Sequence, residues 1–360
     1  MKVEHLRIQG LRCLSDVRLD LAAGMTAFCG PNGAGKTSLL EALFVLSHGR
    51  SFRAGARDAL SQRGSAGWNV FAQVQVGSQS ARRLGLGREG SRWSARIDGE
   101  SARLSELVGE CAVVCFDPGS HALIGGGAEE RRRFLDWGVF HVEHTFLTMW
   151  RRYQRALKQR NSLLRSVTRV EDLQFQPWEL ELDQAATAID TWRQSYLAAL
   201  TPVVQAYAAR LLPELGTLEV SYRRGWTETL SLGQILASQR DRDASRGHTT
   251  AGPHRADWSI SFQHAPLREH LSRGQEKLTA LACLLGQAEV YAAGRGEWPI
   301  MCLDDLASEL DLHHQRSLVE QLASCGAQVL ITGTELPRSL EGRADTRVFH
   351  VEQGSVAPLL

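Results

Sequence analysis

The chain has no apolar run approaching the roughly 18 residues that a membrane-crossing helix needs. It opens on Lys2, Glu4, His5 and Arg7 rather than on the apolar core of an export signal. A cytoplasmic location without a membrane partner is therefore expected. It carries almost no net charge, with 41 lysines and arginines against 40 aspartates and glutamates, so any surface that meets a polyanion must be local. It lacks paired Cys-x-x-Cys spacing among its seven cysteines, at positions 13, 29, 111, 115, 283, 302 and 325. These read as reduced, mostly core residues rather than a disulfide framework or a zinc ribbon. His141, Glu143 and His144 lack the spacing that sets two metal ligands on one helical face, and solvated side chains are expected there. There is no internal repeat and no low-complexity tract.

What is present is 43% hydrophobic composition in 360 residues, enough for one large core or two ordinary ones, and one loop rich in glycine. In FCGPNGAGKTSLLEALF, residues 28 to 44, Met25 to Cys29 reads as a buried strand, and Leu39, Leu40, Leu43 and Leu46 recur at helical spacing. Between them stand Gly30, Pro31, Asn32, Gly33, Ala34, Gly35, Lys36, Thr37 and Ser38. This is a P-loop in the strand-to-helix context that it requires. Glycines let the backbone N–H groups turn inward around phosphates, and the helix N-terminus adds its positive end. Lys36 is expected to reach the β and γ phosphates of ATP, and Thr37 to hold Mg²⁺.

A P-loop does not by itself separate kinases, GTPases, helicases and ABC-type ATPases. PIMCLDDLASELD, residues 299 to 311, is an apolar strand ending in consecutive carboxylates. It suits a Walker B, with Asp304 near Mg²⁺ and Asp305 orienting the attacking water. LSRGQEKLTALACLL, residues 271 to 285, puts Ser272, Gly274 and Gln275 at the mouth of an apolar helix. Alone this could be any capped helix. About 25 residues before a Walker B, it reads as an ABC signature.

Together these motifs resemble the ABC-type ATPase heads of the SMC group, in which the signature helix of one subunit caps the nucleotide held by the P-loop of another. The resemblance implies an ATP-dependent homodimer with shared sites. Ser308 to Asp311 matches the D-loop of such heads. QVLITGT, residues 328 to 334, matches the following strand and switch, but offers Thr332 and Thr334 where transporters usually place histidine. More closely, GLRCLSDVRLDL, GPNGAGKTSLLEAL, GRSFRAG, EERRRFLDW, TTAGPHRAD, LSRGQEKL and LDDLASELD follow the order and spacing of the RecF family of bacterial recombination mediators. That resemblance implies a weak ATPase that binds DNA at single-strand gaps and single-strand/double-strand junctions. It implies RecR and RecO as partners and support of RecA loading in repair and replication restart. Arg12 lies in the turn that approaches nucleotide in related heads. Arg131 to Arg133 is either a DNA contact or a solvated helix start, and no role is assigned to Gly252 to Arg255 beyond a tight turn before a strand at Trp258 to Phe262.

Lys36 and Ser272 lie 236 residues apart, too far for a transporter head and too near for a full SMC coiled coil. The expected fold class is therefore α/β: an ABC-type P-loop ATPase head, residues 1–126 and 250–360, with an inserted, mainly helical lobe at 127–249. Residues 68 to 76, 82 to 87 and 92 to 97 alternate like strands. Helical periodicity runs from Glu129 to Leu212, with Pro177 and Pro202 as starts or kinks, and RDRDASRGHTTAGPHRADW reads as a returning loop. Seven cations and no acid lie between His144 and Val170, followed by six acids and no base from Glu171 to Asp190. Arg151, Arg155, Lys158, Arg165 and Arg169 fall within about 80° of one another on a helix. They form a phosphate-tracking ridge, or the acidic segment folds back and neutralises them. Neutralisation, with DNA met mainly by the heads, is the expectation carried forward. The alternative function is the nucleotide-binding subunit of an ABC transporter.

Overall fold

The computed structural model describes residues 1–53, 60–77, 80–166 and 171–359. Arg169 of the basic stripe and the last two residues of GRSFRAG lie outside them. The chain forms two compact units, Met1–Ser120 with Tyr291–Leu360, and His121–Val290.

The first unit holds two six-stranded sheets. One is antiparallel, in the order β2-β1-β4-β5-β6-β7: β1 Lys2–Leu11, β2 Leu14–Asp20, β4 Gly67–Gln75, β5 Arg82–Glu89, β6 Arg92–Ile97 and β7 Glu100–Ala102. The strands expected at 68 to 76, 82 to 87 and 92 to 97 are β4, β5 and β6, within two residues at each end. In β1 a bulge between Val3 and His5 shifts the register, which is why buried Val3 and Leu6 stand three apart instead of two.

The other sheet has the order β14-β13-β3-β12-β11-β8: β3 Met25–Cys29, β8 Val113–Phe116, β11 Ile300–Leu303, β12 Val329–Gly333, β13 Thr346–Glu352 and β14 Ser355–Pro358. All neighbours are parallel except the edge pair β13 and β14. Strands β3, β8, β11 and β12 are buried at every residue, so they read as unbroken apolar runs, as expected of a parallel sheet covered on both faces. Helix α1, Lys36–His48, packs on this sheet. The unit also holds α2 Leu104–Gly109, α10 Leu306–Glu309 and α11 Leu312–Ser324.

The second unit contains α3 Ala122–Gly125, α4 Ala128–Val142, α5 Phe146–Leu164, α6 Asp172–Leu211, α7 Leu232–Ser238, α8 Arg240–Arg246, the antiparallel pair β9 Leu218–Arg223 and β10 Asp257–Phe262, and most of α9 Arg273–Arg295. It is wider than the inserted lobe expected at 127–249, because β10 pairs with β9 and the segment before it is bonded to α4, α5 and α6. Pro177 and Pro202 both lie inside the 40-residue α6, so of the two alternatives neither starts a helix. Two local expectations are corrected. The returning loop contains α8, which is rich in arginine and aspartate and has no apolar periodicity to reveal it. His141 is not solvated: it is 1% exposed and packs 4.3 Å from the Trp137 ring.

The acidic segment does fold back along α5, where the ion pairs it makes with that helix go to Arg152 and Arg160. Arg152 donates to both Glu181 oxygens at 2.6 and 2.8 Å. Arg160, fully buried, donates to Glu179 at 3.1 Å and Asp243 at 2.7 Å. Neither arginine is among the ridge residues.

Candidate nucleotide-binding site

The loop between β3 and α1 takes the conformation its glycines permit. Gly30 has φ 152° and Gly35 φ 115°, in the region that favours glycine. A Cβ on Gly30 would lie 2.0 Å from the Val351 carbonyl oxygen, so no side chain fits there. Pro31, Asn32 and Gly33 form the exposed crest, while Ala34 is buried at 4%. Ser38 is buried beneath the loop, and its amide donates to the Gly35 carbonyl at 3.0 Å. Lys36 heads α1, and its Nζ reaches back along the loop to donate to the carbonyls of Gly30 at 2.8 Å and Pro31 at 2.9 Å. The ammonium is therefore held inside the loop's curve.

Beside Lys36, the Thr37 hydroxyl donates to Asp304 Oδ1 at 2.9 Å. These residues are 267 apart in sequence, and the sheet brings them together. β12 lies between the P-loop strand β3 and the Walker B strand β11, and its Thr332 links the two carboxylate-bearing residues. The Thr332 hydroxyl donates to Asp304 Oδ1 at 2.6 Å and accepts the Asp305 amide at 2.8 Å. Burial pushes the Asp304 carboxyl above its usual range, against the opposing pull of the Thr332 and Thr37 hydroxyls. Asp305 sits at φ 53° and caps α10. A left-handed aspartate beside a buried carboxylate is a strained position of the kind found at functional sites. Sequence reading registers Thr332 only as a departure from histidine, since a buried threonine on an apolar strand carries no motif.

Arg12 is also left-handed, at φ 56°. It makes a bidentate pair with fully buried Glu41 of α1 at 2.9 and 2.7 Å. The Ser51 hydroxyl donates to the same carboxylate. Arg12 thus anchors its turn to the helix that starts at the P-loop.

The signature residues belong to the second unit, whereas the P-loop, Asp304 and Asp305 belong to the first. Ser272 and Gln275 form a capping box: Ser272 Oγ accepts the Gln275 amide at 3.3 Å, and Gln275 Oε1 accepts the Ser272 amide at 3.0 Å. Ser272, Arg273 and Gly274 are exposed in the single chain.

Two other motifs prove to be one joint in the second unit. Arg131 makes a bidentate pair with Asp257 at 2.7 and 3.0 Å. Arg132 donates to the Ala256 carbonyl, and Arg133 pairs with Glu129 and Glu130. Arg193 of α6 donates to the Pro253 carbonyl and to both oxygens of Asp136. His254 Nε2 donates to the Thr249 carbonyl, so its Nδ1 accepts from the Tyr153 hydroxyl at 2.5 Å. EERRRFLDW and TTAGPHRAD therefore hold each other, and Arg131 and Arg132 are neither a solvated helix start nor free for DNA.

A P-loop on a parallel sheet, a Walker B strand paired with a switch strand, and a signature helix that follows an inserted helical region in sequence define an ABC-type ATPase head of the SMC group. The RecF/RecN/SMC N-terminal domain family matches residues 2–357. The chain is 48% identical to the DNA replication and repair protein RecF of Xanthomonas euvesicatoria pv. vesicatoria, covering 99% of this chain and 98% of that one. It is 40% identical to the RecF of Azotobacter vinelandii over the same shares. A solved structure of the recombination mediator protein RecF with ATP, in the RecFOR pathway, matches with TM-score 0.90 at 26% identity, covering 99% and 97% of the two chains. An Smc head bound to the C-terminal winged-helix domain of ScpA matches at TM-score 0.59 and 16% identity, over 100% and 98%, a likeness of fold. The chain belongs to the RecF family of DNA replication and repair proteins, not to the nucleotide-binding subunits of ABC transporters. Among the described residues no helix is long and apolar enough to cross a membrane.

Proposed function

We propose that this chain binds ATP at residues 30–38, dimerises through it, and couples slow hydrolysis to DNA binding at single-strand gaps. The observation that carries the reading is the bonded chain Thr37, Asp304, Thr332, Asp305, which unites the loop with both carboxylates. The residues fit the nucleotide: glycines keep the loop open, and Lys36 holds an ammonium within its curve. A hydroxyl and a buried carboxylate converge as oxygen donors suited to Mg²⁺. Thr37 and Asp304 would hold that ion, which would supply charge neutralisation to the phosphates.

Lys36 carries the fixed positive charge that meets the same phosphates, and the loop's N–H groups orient them. Asp305, with its amide fixed by Thr332, orients the attacking water and accepts its proton. Ser272, Gly274 and Gln275 act from a second copy, where the capping box presents the start of α9 to the γ phosphate. ATP then draws two chains together, and its hydrolysis releases them. RecR and RecO are the proposed partners, RecA loading the outcome, and the cytoplasm the location. The RecFOR context of the solved relatives supports the partner reading. Sedimentation with ATP, ADP or no nucleotide, each with and without gapped DNA, tests it. A dimer with ATP alone, retained on gapped DNA, is expected; the same mass in all six conditions would contradict it.

A further inference from the structure

Helix α5 contains no acidic residue along its 19 positions, and its cations fall into two sets. Arg152 pairs with Glu181 at the surface and Arg160 is buried in the fold. Besides its two carboxylate partners, Arg160 donates to Thr249 and to the Leu236 carbonyl. Arg151, Arg155 and Lys158, with Arg165 just beyond the helix end, are all exposed. They recur at spacings of four, three and seven, which makes one stripe. At 1.5 Å per residue the stripe is about 21 Å long. Gln154, Gln159 and Ser162, also exposed, flank it with neutral hydrogen-bonding groups. The aromatic residues of α5 turn inward: Phe146 and Tyr153 are buried, and Trp150 lies beneath the Arg193 guanidinium.

The acids of α6 nearest Arg155 and Lys158 are engaged by other partners. Glu179 is bound by Arg160 and Arg240. Arg155 feels the charge of Glu181, but both oxygens of that carboxylate accept from Arg152. Asp183 accepts the Gly233 amide, Asp190 accepts from Tyr222 and Gln194, and Asp172 pairs with Arg240. Lys158 has no acid within ion-pair distance among the described residues.

We propose that this exposed face of α5 is a contact strip for the sugar-phosphate backbone of DNA. It deepens the DNA-binding reading above and rests on it. Cations and amides without exposed aromatics suit phosphate contacts, not base stacking, so binding here is indifferent to sequence. The strip lies in the helical unit, and none of its residues belongs to the P-loop, Walker B or signature.

The test compares the full-length wild type with R155Q/K158Q, measuring affinity for a gapped duplex with saturating ATP across a salt series. Each lost phosphate contact lowers the slope of log K against log salt by about 0.9 on duplex DNA. The double variant should lose about 1.8 units of slope, so from about 50 to 200 mM salt the wild type loses roughly tenfold more affinity than the variant. The loss should be equal on unrelated sequences, and R155E/K158E should bind more weakly still. ATP-driven dimerisation and melting temperature should match wild type throughout. Unchanged affinity and slope would overturn the strip. So would a loss accompanied by lower melting temperature or failed dimerisation, which would make the residues structural. A wild type without salt-dependent DNA binding would overturn the parent reading instead, and the salt series distinguishes the two failures.

Discussion

Thr332 gives one hydroxyl to two tasks, binding the Asp304 carboxylate and fixing the Asp305 amide. That arrangement separates the roles of the two aspartates. Asp304 is buried and bonded to Thr37, a binding position, whereas Asp305 is partly exposed at φ 53°. Asparagine tolerates left-handed backbone, so Asp305→Asn should fold and retain nucleotide but lose the proton acceptor. Phosphate release should fall by about 10²- to 10⁴-fold while the ATP-bound dimer persists longer. Hydrolysis at the wild-type rate would assign the base elsewhere. His254 offers a second residue-scale test. Burial foremost pushes its imidazole down to about 4 from the ordinary 6.5, so the folded state holds it neutral between Tyr153 and Thr249. The unfolded chain binds its proton as pH falls through 6.5, and the folded chain resists until about 4. Stability is therefore lost on acidification across that window, by up to about 3 kcal/mol, and the loss is complete below it. His254→Gln can still donate and accept, and its denaturant unfolding should lack this contribution between pH 7 and pH 4.5. An identical pH dependence in both proteins would refute the assignment. Lys36 and Thr37 are legible because the fixed P-loop spacing dictates the loop around them, whereas their meeting with Asp304, 267 residues from Thr37, depends on the sheet. The pairing of Arg12 with Glu41 is not legible, because it joins a turn to a helix 29 residues away.

At the scale of elements, alternation and apolar runs located β4, β5 and β6 and the motif-bearing strands β3, β11 and β12, while β7, β8, β13 and β14, which carry no motif, went unmarked. What counting charges could not supply was facing. Seven cations followed by six acids suggest mutual neutralisation, yet Glu181 and Glu179 of α6 meet Arg152 and Arg160, of which Arg160 points fully inward. The buried Arg160 cluster also takes in α8, whose sequence has no apolar periodicity to mark it as helix. Removing one partner of a buried pair leaves charge without compensation. Arg160→Leu would strand Asp243, which is fully buried, and part of Glu179. We expect a loss of about 3–5 kcal/mol in denaturant unfolding of the helical unit, with α5, α6 and α8 loosened together by hydrogen exchange. Arg155→Gln, on the exposed stripe of the same helix, should change stability by less than about 0.5 kcal/mol. Equal effects from both substitutions would remove the distinction between inward and outward arginines on which the account of α5 depends.

At the scale of the whole molecule, one chain divides its motifs between two compact units, with Lys36 in the first and Ser272 in the second. Their sequence separation made an inserted lobe legible, and the order of motifs made the family legible. The extent of the second unit was not, because it depends on the joint between α4, α6 and the segment before β10. The central claim is that ATP is held between the P-loop of one copy and the signature of another. Lys36→Met removes the charge that meets the phosphates, and Ser272→Arg puts bulk and charge at the exposed start of α9, so neither variant alone can form an intact shared site. A mixed pair can form one, joining the P-loop of the Ser272→Arg chain to the signature of the Lys36→Met chain. Sedimentation velocity with ATP on each variant alone and on their equimolar mixture measures this directly. The account predicts monomers for each variant and dimers in the mixture; a Ser272→Arg protein that dimerises alone as fully as wild type would contradict it.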